Sequence, residues 1–404
     1  MNKTNDLILC DFQTSLEDVL KQGAKKMLSY AIENEVDEFI NSRKHLRDEL
    51  GRQAVKRNGY LPERQIQTGV GNISIKKPRV RGEYFTSAIL PRYLRRTPSI
   101  DTLIPVLYLK GVSTNGMVEA LEAILGENAK GLSPTNIVRL KSQWETDYEK
   151  WLKRDLSQKR YVYIWADGIY FNIRLNSDRP CLLVIIGATE EGKKELIAIH
   201  DGHRESKLSW KTVLQDLKER GLQHSPSLAI GDGALGFWAA IEEEFPSCKY
   251  QRCWVHKTGN ILDKMTKRVQ VDAKNLIHQM YLSPTRDEAL KAFNHFLSLY
   301  DAKFPKACEC LRKDKSRLFS FYDFPAEHWQ HIRTTNPIES TFATVRHRSE
   351  QTKGCGSRKA VLSMVFQLCM SAQKNWIKLK GYMLIKKVLE GVQYKDGEEV
   401  EEVA

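Results

Sequence analysis

The chain has 404 residues, 41% of them hydrophobic, and carries 63 Lys and Arg against 50 Asp and Glu, a formal charge of +13 and a pI near 9.2. This is enough apolar material for two or three cored domains, which excludes a globally disordered chain, and the positive balance points to a polyanionic partner, nucleic acid first. The eight cysteines are scattered, the longest apolar stretch (Cys181 to Ala188) is too short to span a bilayer, and residues 1–11 lack the basic start and apolar core of a secretory signal. A reduced, cytoplasmic protein without a membrane partner is therefore expected.

In chain order, residues 12–50 have the spacing of an amphipathic helix, with Leu16, Val19, Leu20, Ala24, Met27 and Leu28 recurring at helical intervals. Residues 58–90 change character: Asn58-Gly59, Gly69, Gly71 and Gly82 punctuate short runs, which predicts a small β segment. Residues 51–100 hold eleven Lys and Arg against two acids, Glu63 and Glu83, so that segment is strongly cationic, with Lys76, Lys77, Arg79 and Arg81 as candidate phosphate contacts. Helices are predicted over Ser99–Lys110, Ser113–Leu125 and Ser133–Leu156, the last opened by a Ser-Pro cap and first-turn pair. Three short helices with tight turns suit a helix-turn-helix unit as well as any small bundle.

From Arg160 the pattern becomes mixed. Tyr161–Ala166, Ile169–Leu175, Cys181–Ala188, Glu195–His200 and Ser227–Ile230 read as strands. Ser209–Arg220 reads as a helix with Trp210, Val213, Leu214 and Leu217 on one face, and Gly236–Glu244 as another. That succession matches the opening of a ribonuclease-H-like fold. Residues 257–328 are almost wholly helical in pattern, which reads as an insertion before a last core helix. The final stretch, with Asp396, Glu398, Glu399, Glu401 and Glu402, reads as a solvated acidic tail.

Three carboxylates stand out. Asp167 and Asp232 each end an apolar run and are each followed by Gly, and Glu339 lies in Thr334-Thr-Asn-Pro-Ile-Glu339, a helix start. Each has a plain structural reading: Asp167-Gly168 as a hairpin turn, Asp232-Gly233 as a loop, and Glu339 as a capping-box partner of Asn336. Together, two strand-end aspartates and a helical glutamate could converge to hold two divalent cations. Cys253-x-x-His256 has the spacing of half a zinc site, with Cys248, His278, Cys308 or Cys310 as possible completions; structural support is the favoured reading. Trp165, Trp238, Trp254 and Trp329 read mainly as core, with Trp329 as the candidate for stacking on a base.

These motifs carry a resemblance. Trp165-Ala-Asp167-Gly-Ile-Tyr, Ile230-Gly-Asp232-Gly, Cys253-Trp-Val-His256 and Arg333-Thr-Thr-Asn-Pro-Ile-Glu339 are together similar to the bacterial Mutator-type insertion-sequence transposases, DDE enzymes, over roughly residues 10–385. The separations of 232 − 167 = 65 and 339 − 232 = 107 residues leave room for the helical insertion of that family.

The resemblance implies an α/β protein with a ribonuclease-H-like core interrupted by a helical insertion. The expected division is a DNA-binding region 1–156, core 157–256, insertion 257–328, core 329–390 and tail 391–404. It implies Asp167, Asp232 and Glu339 as catalytic and metal-binding residues for two Mg2+ ions, with Mn2+ as a substitute, and Cys253 with His256 as support for the site. It also implies Arg333, Asn336, Arg346, Arg348 and Lys353 at the DNA, although Cys355-Gly-Ser-Arg departs from the aromatic-Pro-Asn element that many members carry there. The implied partners are double-stranded DNA, as terminal inverted repeats and as target, and a second copy of the chain in a dimer or larger synaptic complex at the nucleoid. A ribonuclease-H-like nuclease that does not transpose and a non-catalytic DNA-binding regulator are the competing classes.

Overall fold

The computed structural model describes residues 15–400 except 111, 113–115, 126–133, 171–180, 203, 234 and 352–357. It divides into two compact units, Met1–Leu140 and Lys141–Ala404. Among the described residues no helix is long and apolar enough to cross a membrane.

The first unit opens with α1 (Leu16–Asn41), capped by the Ser15 hydroxyl, which accepts from the Asp18 amide at 3.2 Å. Four short strands follow, β1 (Lys56–Tyr60), β2 (Arg64–Thr68), β3 (Gly71–Ile75) and β4 (Pro78–Arg81), paired antiparallel as β1 with β4 and β2 with β3. Alternation sends Ile73 and Ile75 of β3 inward, where with Ile66 and Leu90 they pack against Ile32 of α1. Helices α2 (Pro98–Leu109) and α3 (Gly116–Leu125) come next, and α4 (Pro134–Leu152) runs across the division between the units. Pro98 and Pro134 each sit at a helix start, where a missing N–H costs nothing. Ser133, expected to cap α4, lies outside the described residues.

The second unit is built on a mixed five-stranded sheet, β5 (Tyr161–Tyr170), β6 (Cys181–Thr189), β7 (Lys194–Gly202), β8 (Leu228–Gly231) and β9 (Lys249–Arg252), in the order β7-β6-β5-β8-β9. The first three run antiparallel to one another, and β8 and β9 run parallel to β5. Two expectations change here. Asp167-Gly168 is no boundary between strands: both residues lie within β5, laddered opposite Val184 and Leu183. The polar run Lys249–Arg252, not recognised as a strand, is β9, the edge strand beside β8.

Helix α5 (Lys207–Glu219) buries Trp210, Val213, Leu214 and Leu217, the face that its spacing predicts, and α6 (Leu235–Glu244) packs beside it over a core with Ile164, Ile185, Phe237 and Trp238.

No strand occurs among the described residues between β9 and residue 394. The chain runs through α7 (Trp254–Leu262), α8 (Lys267–Leu282), α9 (Arg286–Tyr300), α10 (Pro305–Lys313), α11 (Lys315–Leu318), two short 3-10 turns and α12 (Trp329–Ile332). It then forms α13 (Asn336–Gln351), α14 (Arg358–Gln373) and α15 (Ile385–Leu389). Residues 391–400 are not a free acidic tail. They form a hairpin of β10 (Tyr394–Lys395) and β11 (Glu398–Glu399). The Gly397 amide donates to Tyr322 O and the Gly397 carbonyl accepts from Ala326 N, both at 3.2 Å, while Asp396 accepts from the Arg286 amide at 2.7 Å. Asp396, Glu398 and Glu399, read as part of a solvated tail, are the turn and rungs of this hairpin, and Glu401 and Glu402 lie outside the described residues.

Gly397 has φ +86°, and a methyl group there would lie 2.6 Å from Ala326 Cβ and 2.7 Å from Trp329 Cζ2. Gly397→Ala should therefore destabilise the protein by about 1–3 kcal/mol, through left-handed strain plus overlap. Urea unfolding measures this; an unchanged midpoint would mean that the hairpin detaches without loss and behaves as a tail after all.

Candidate active site

The site forms at the end of the β5–β8 pair. Ala166 and Gly231 are partners in that parallel ladder, so Asp167 and Asp232 each follow by one residue on adjacent strands. Asp167 stays in the sheet, 6% exposed, with its Oδ1 accepting from the Gly168 amide at 2.8 Å. Asp232 follows the last residue of β8, and the chain then turns through Gly233 at φ +90°. A side chain at 233 would fall on the Arg252 guanidinium, which passes over this glycine, so the position demands both the left-handed backbone and the lack of a Cβ.

The third wall comes from two helix starts locked together. Cys253 caps α7, its amide bonded to Gly231 O at 2.8 Å, and its Sγ accepts from both the amide and the hydroxyl of Thr335 at 3.3 Å. The Trp254 amide donates to Arg333 O at 3.0 Å, and the Thr335 hydroxyl also meets His256 Nδ1 at 3.3 Å. Thr335 in turn receives the Ile338 and Glu339 amides on its carbonyl. This clamp sets α13 so that Glu339 Oε1 lies 3.0 Å from His256 Nε2. Glu339 thus points at a histidine on another helix; it is not the capping partner of Asn336.

Ligand atoms of Asp167, His256 and Glu339 all lie within 4.8 Å of one another, and among the described residues this is the group of three that could hold a metal ion. The Cys253-x-x-His256 pair is thereby accounted for: its histidine serves the acidic site and its thiol receives Thr335. Cys248 is buried, its thiol pushed up to about 12 by that burial, and His278 packs edge-on against Tyr281.

The electrostatics follow from this crowding. Burial, then repulsion from Asp232, pushes the Asp167 carboxyl up to about 8. His256 goes the same way, up to about 10, because hydrogen bonds to Cys253 and Glu339 favour the imidazolium. The hydrogen bond from His256 holds Glu339 below the usual carboxylate range. Burial pushes the Cys253 thiol up, but the bonds from His256 and Thr335 outweigh it and leave it below its ordinary value. The site has more negative side chains than it can ionise together, and His256 is its internal counter-cation.

Arg346, seven residues after Glu339, shares its face as the spacing predicts, with Nη1 3.6 Å from Glu339 Oε2 and half its side chain exposed. Asn336 is exposed at the start of α13. Arg333 is instead half-buried, its guanidinium over the Phe321 and Trp329 rings at 4.6 and 4.9 Å, and burial lowers it to about 10. The base-stacking expectation for Trp329 fails on burial: the ring is 7% exposed, its N–H donates to Phe324 O at 2.8 Å, and Phe321, Tyr322 and Arg333 surround it. In the first unit, Lys76, Arg79 and Arg81 are exposed on and before β4, whereas Lys77 is half-buried with its Nζ over Phe85 at 4.8 Å. The Arg348 side chain and Lys353 lie outside the described residues.

Two residues at the site escaped the sequence reading. Thr335 gave no signal beyond standing in the Thr-Thr-Asn-Pro run. Glu205 packs against Gly168, where an added methyl would overlap its carboxyl, and burial followed by Asp232 raises its pKa. A lone glutamate in a loop before α5 offers no pattern to find it by.

With this geometry in view, comparison with known proteins is informative. The family described as "Transposase, Mutator family" matches residues 3–379. The transposase for insertion sequence element IST2 of Acidithiobacillus ferrooxidans is 48% identical over 281 residues, 70% of this chain and 95% of that protein. The IS6120 transposase of Mycolicibacterium smegmatis is 46% identical over 298 residues, 74% of this chain and 92% of the relative. The transposase for IS256 in transposon Tn4001 of Staphylococcus aureus is 28% identical over 366 residues, 89% and 92% of the two chains.

Both Asp167 and His256 bind a proton more tightly in the folded, metal-free protein than in the unfolded chain, where values near 3.9 and 6.5 apply. Their stabilisation is complete below the unfolded values and is lost as pH rises through the folded ones. Glu339 runs oppositely, losing its contribution as pH falls through its depressed value. Chelator-treated protein should thus melt a few degrees lower at pH 9 than at pH 6, and Asp167→Asn should flatten the trend. A melting temperature that rises across this interval would reject the charge assignment.

Proposed function

The chain belongs to the Mutator family of transposases, and from that premise we propose that it is an insertion-sequence transposase with a ribonuclease-H-like core and a DDE site made of Asp167, Asp232 and Glu339. The carrying observation is the convergence of Asp167, His256 and Glu339 within 4.8 Å, with Asp232 just past the end of the neighbouring strand. The sheet order β7-β6-β5-β8-β9, three antiparallel strands followed by two parallel ones, supports the core assignment. The reaction is hydrolysis at the element's ends, in which water adds to phosphorus and the 3′ oxygen leaves as a hydroxyl. That hydroxyl then attacks a phosphorus of target DNA, joining the element's 3′ end to the target's 5′ phosphate while the target's own 3′ oxygen leaves as a hydroxyl.

The residues suit a hard divalent cation. Burial first, and the neighbouring Asp232 second, push the Asp167 carboxyl up to about 8, a penalty that a bound cation would relieve, and carboxylate oxygens are the donors Mg2+ or Mn2+ takes. Asp167, Asp232 and Glu339 would hold two such ions, which when bound lower the pKa of the attacking oxygen and stabilise the leaving one. His256 orients Glu339 through Nε2, and the Thr335 clamp fixes both helix starts relative to the sheet. Arg346, exposed beside Glu339, is placed to neutralise a DNA phosphate entering the site.

The first unit, with exposed Lys76, Arg79 and Arg81, is assigned to the terminal inverted repeats. A dimer or larger complex follows from the need to join two ends, and a cytoplasmic, nucleoid-associated location from the DNA substrate.

Asp167→Asn, Asp232→Asn and Glu339→Gln should each lower Mg2+-dependent cleavage of terminal-repeat DNA by at least about a thousandfold while leaving repeat binding within a few-fold. Near-normal cleavage by any one would remove that residue from the triad. Cleavage without strand transfer of a 3′-hydroxyl end by the wild type would favour a plain nuclease; binding without cleavage would favour a regulator. Arg346→Ala should reduce cleavage and strand transfer well beyond any loss of melting temperature. An early-melting variant whose folded fraction cleaves normally would make Arg346 a purely structural partner of Glu339.

A further inference from the structure

A second basic feature lies in the helical insertion, apart from the acidic site. Around the α10–α11 junction two cavities adjoin, of about 520 and 630 Å3, and both are walled by Arg312 and Lys313. Arg286 and Lys315 complete the cationic lining of the first, Lys264 and Lys306 that of the second. Of the acids nearby, Asp314, Asp301 and Asp323 are spent on internal pairs, while Glu309 stands exposed on the wall of the second cavity. Asp314, between the two outward lysines, faces inward to Lys257 Nζ at 2.6 Å and Arg252 Nε at 3.5 Å. Asp301 holds Arg312, and Asp323 holds Arg286 at 2.7 Å. Lys306, Lys313 and Lys315 are exposed and take part in none of the ion pairs among the described residues.

We infer that this double groove is a second DNA-contact surface, in which Lys306, Lys313 and Lys315 engage successive phosphates of a duplex backbone. The inference rests on the transposase reading for its choice of polyanion. The chemistry is that of sequence-independent backbone binding: six cations on the walls (Lys264, Arg286, Lys306, Arg312, Lys313, Lys315) against two carboxylates (Glu309, Asp323), and hollows wide enough for phosphate and sugar. The groove is also coupled mechanically to the active site. Lys257, next to His256 on α7, is anchored on Cys310 O and Asp314, and Arg252 runs from Asp314 to lie over Gly233 beside Asp232. DNA held here would be held by the helices that brace two corners of the catalytic site.

The test is duplex binding by the full-length protein across salt concentrations, comparing wild type with a Lys306→Gln, Lys313→Gln, Lys315→Gln variant. At about 0.9 per phosphate lost, the slope of log affinity against log salt should fall by roughly 2 to 3. Wild type should then lose about fortyfold more affinity than the variant between 50 and 200 mM salt. The loss should be equal on terminal-repeat and unrelated duplexes, with the melting temperature unchanged. An unaltered slope overturns the groove. So does an equal flattening in a control carrying Lys274→Gln, Lys386→Gln and Lys395→Gln, which would make the effect one of net charge. If wild type cleaves terminal-repeat DNA and the groove variant keeps its slope, only the groove falls. If wild type binds no DNA, the transposase reading falls with it.

Discussion

Everything at the acidic end of the five-stranded sheet answers to one electrostatic problem, the placement of several carboxylates where water screens them poorly. Asp167 is inside a ladder and nearly fully buried, Asp232 is one strand away, and Glu205 lies against the glycine that follows Asp167. Ionising all of them at once costs far more than side-chain packing returns, so burial and mutual repulsion drive the Asp167 carboxyl up to about 8. The fold does not relieve this by spacing the acids apart. It brings in one imidazole, His256, at the start of a helix whose position is fixed by backbone and thiol contacts. A site with an excess of oxygen donors and a single titratable cation is arranged to exchange part of its proton charge for metal charge.

Holding that imbalance requires rigidity, and the rigidity comes from outside the sheet. The strand-to-helix corner at β9–α7 sends three polar side chains into the insertion. Buried Gln251 bonds Leu318 O and the Phe321 amide, the Trp254 indole bonds Leu318 O at 2.9 Å, and Lys257, 2% exposed, bonds Cys310 O and Asp314. A buried ammonium contributes little net stability, because its desolvation offsets its ion pair, but it tolerates only one geometry. The helical stretch from α10 to Phe321 is thereby a brace for α7, and through Thr335 for α13, as much as it is extra surface.

The pattern of what could be read from the sequence follows the same division. The apolar faces were legible because periodicity reports them directly: Trp210, Val213, Leu214 and Leu217 lie inward as their spacing requires, and the long helical run before Glu339 is helical. The convergence of Asp167 and Glu339, with Asp232 just past the end of β8, was expected from their motifs, and their proximity is what the structure adds. What was not legible is polar and buried. The β9 strand reads Lys-Tyr-Gln-Arg, which no alternation rule marks as sheet, and it is a strand because Gln251 and Arg252 find partners in the insertion. Asp167-Gly168 carries a turn signal that the ladder with β6 overrides. Trp329 and the acids of residues 391–400 were misjudged for one reason: the C-terminal hairpin covers that tryptophan, and a docking contact between distant segments leaves no local trace.

The distribution of charge then takes on a physical logic. Positive charge is not spread evenly over a basic protein; it is released where acids are consumed elsewhere. At the α10–α11 junction one aspartate turns inward to buttress the α7 corner, and two flanking lysines are left facing solvent as a result. At α13 the arrangement is inverted. Glu339 is held by His256 at 3.0 Å, and Arg346, half-exposed, reaches it at 3.6 Å from the same face of α13. Internal salt bridges that add little to stability therefore decide which cations remain outside. In a protein whose proposed substrate is a polyanion, the same inward-facing aspartate that braces α7 would also set the surface on which that substrate lies.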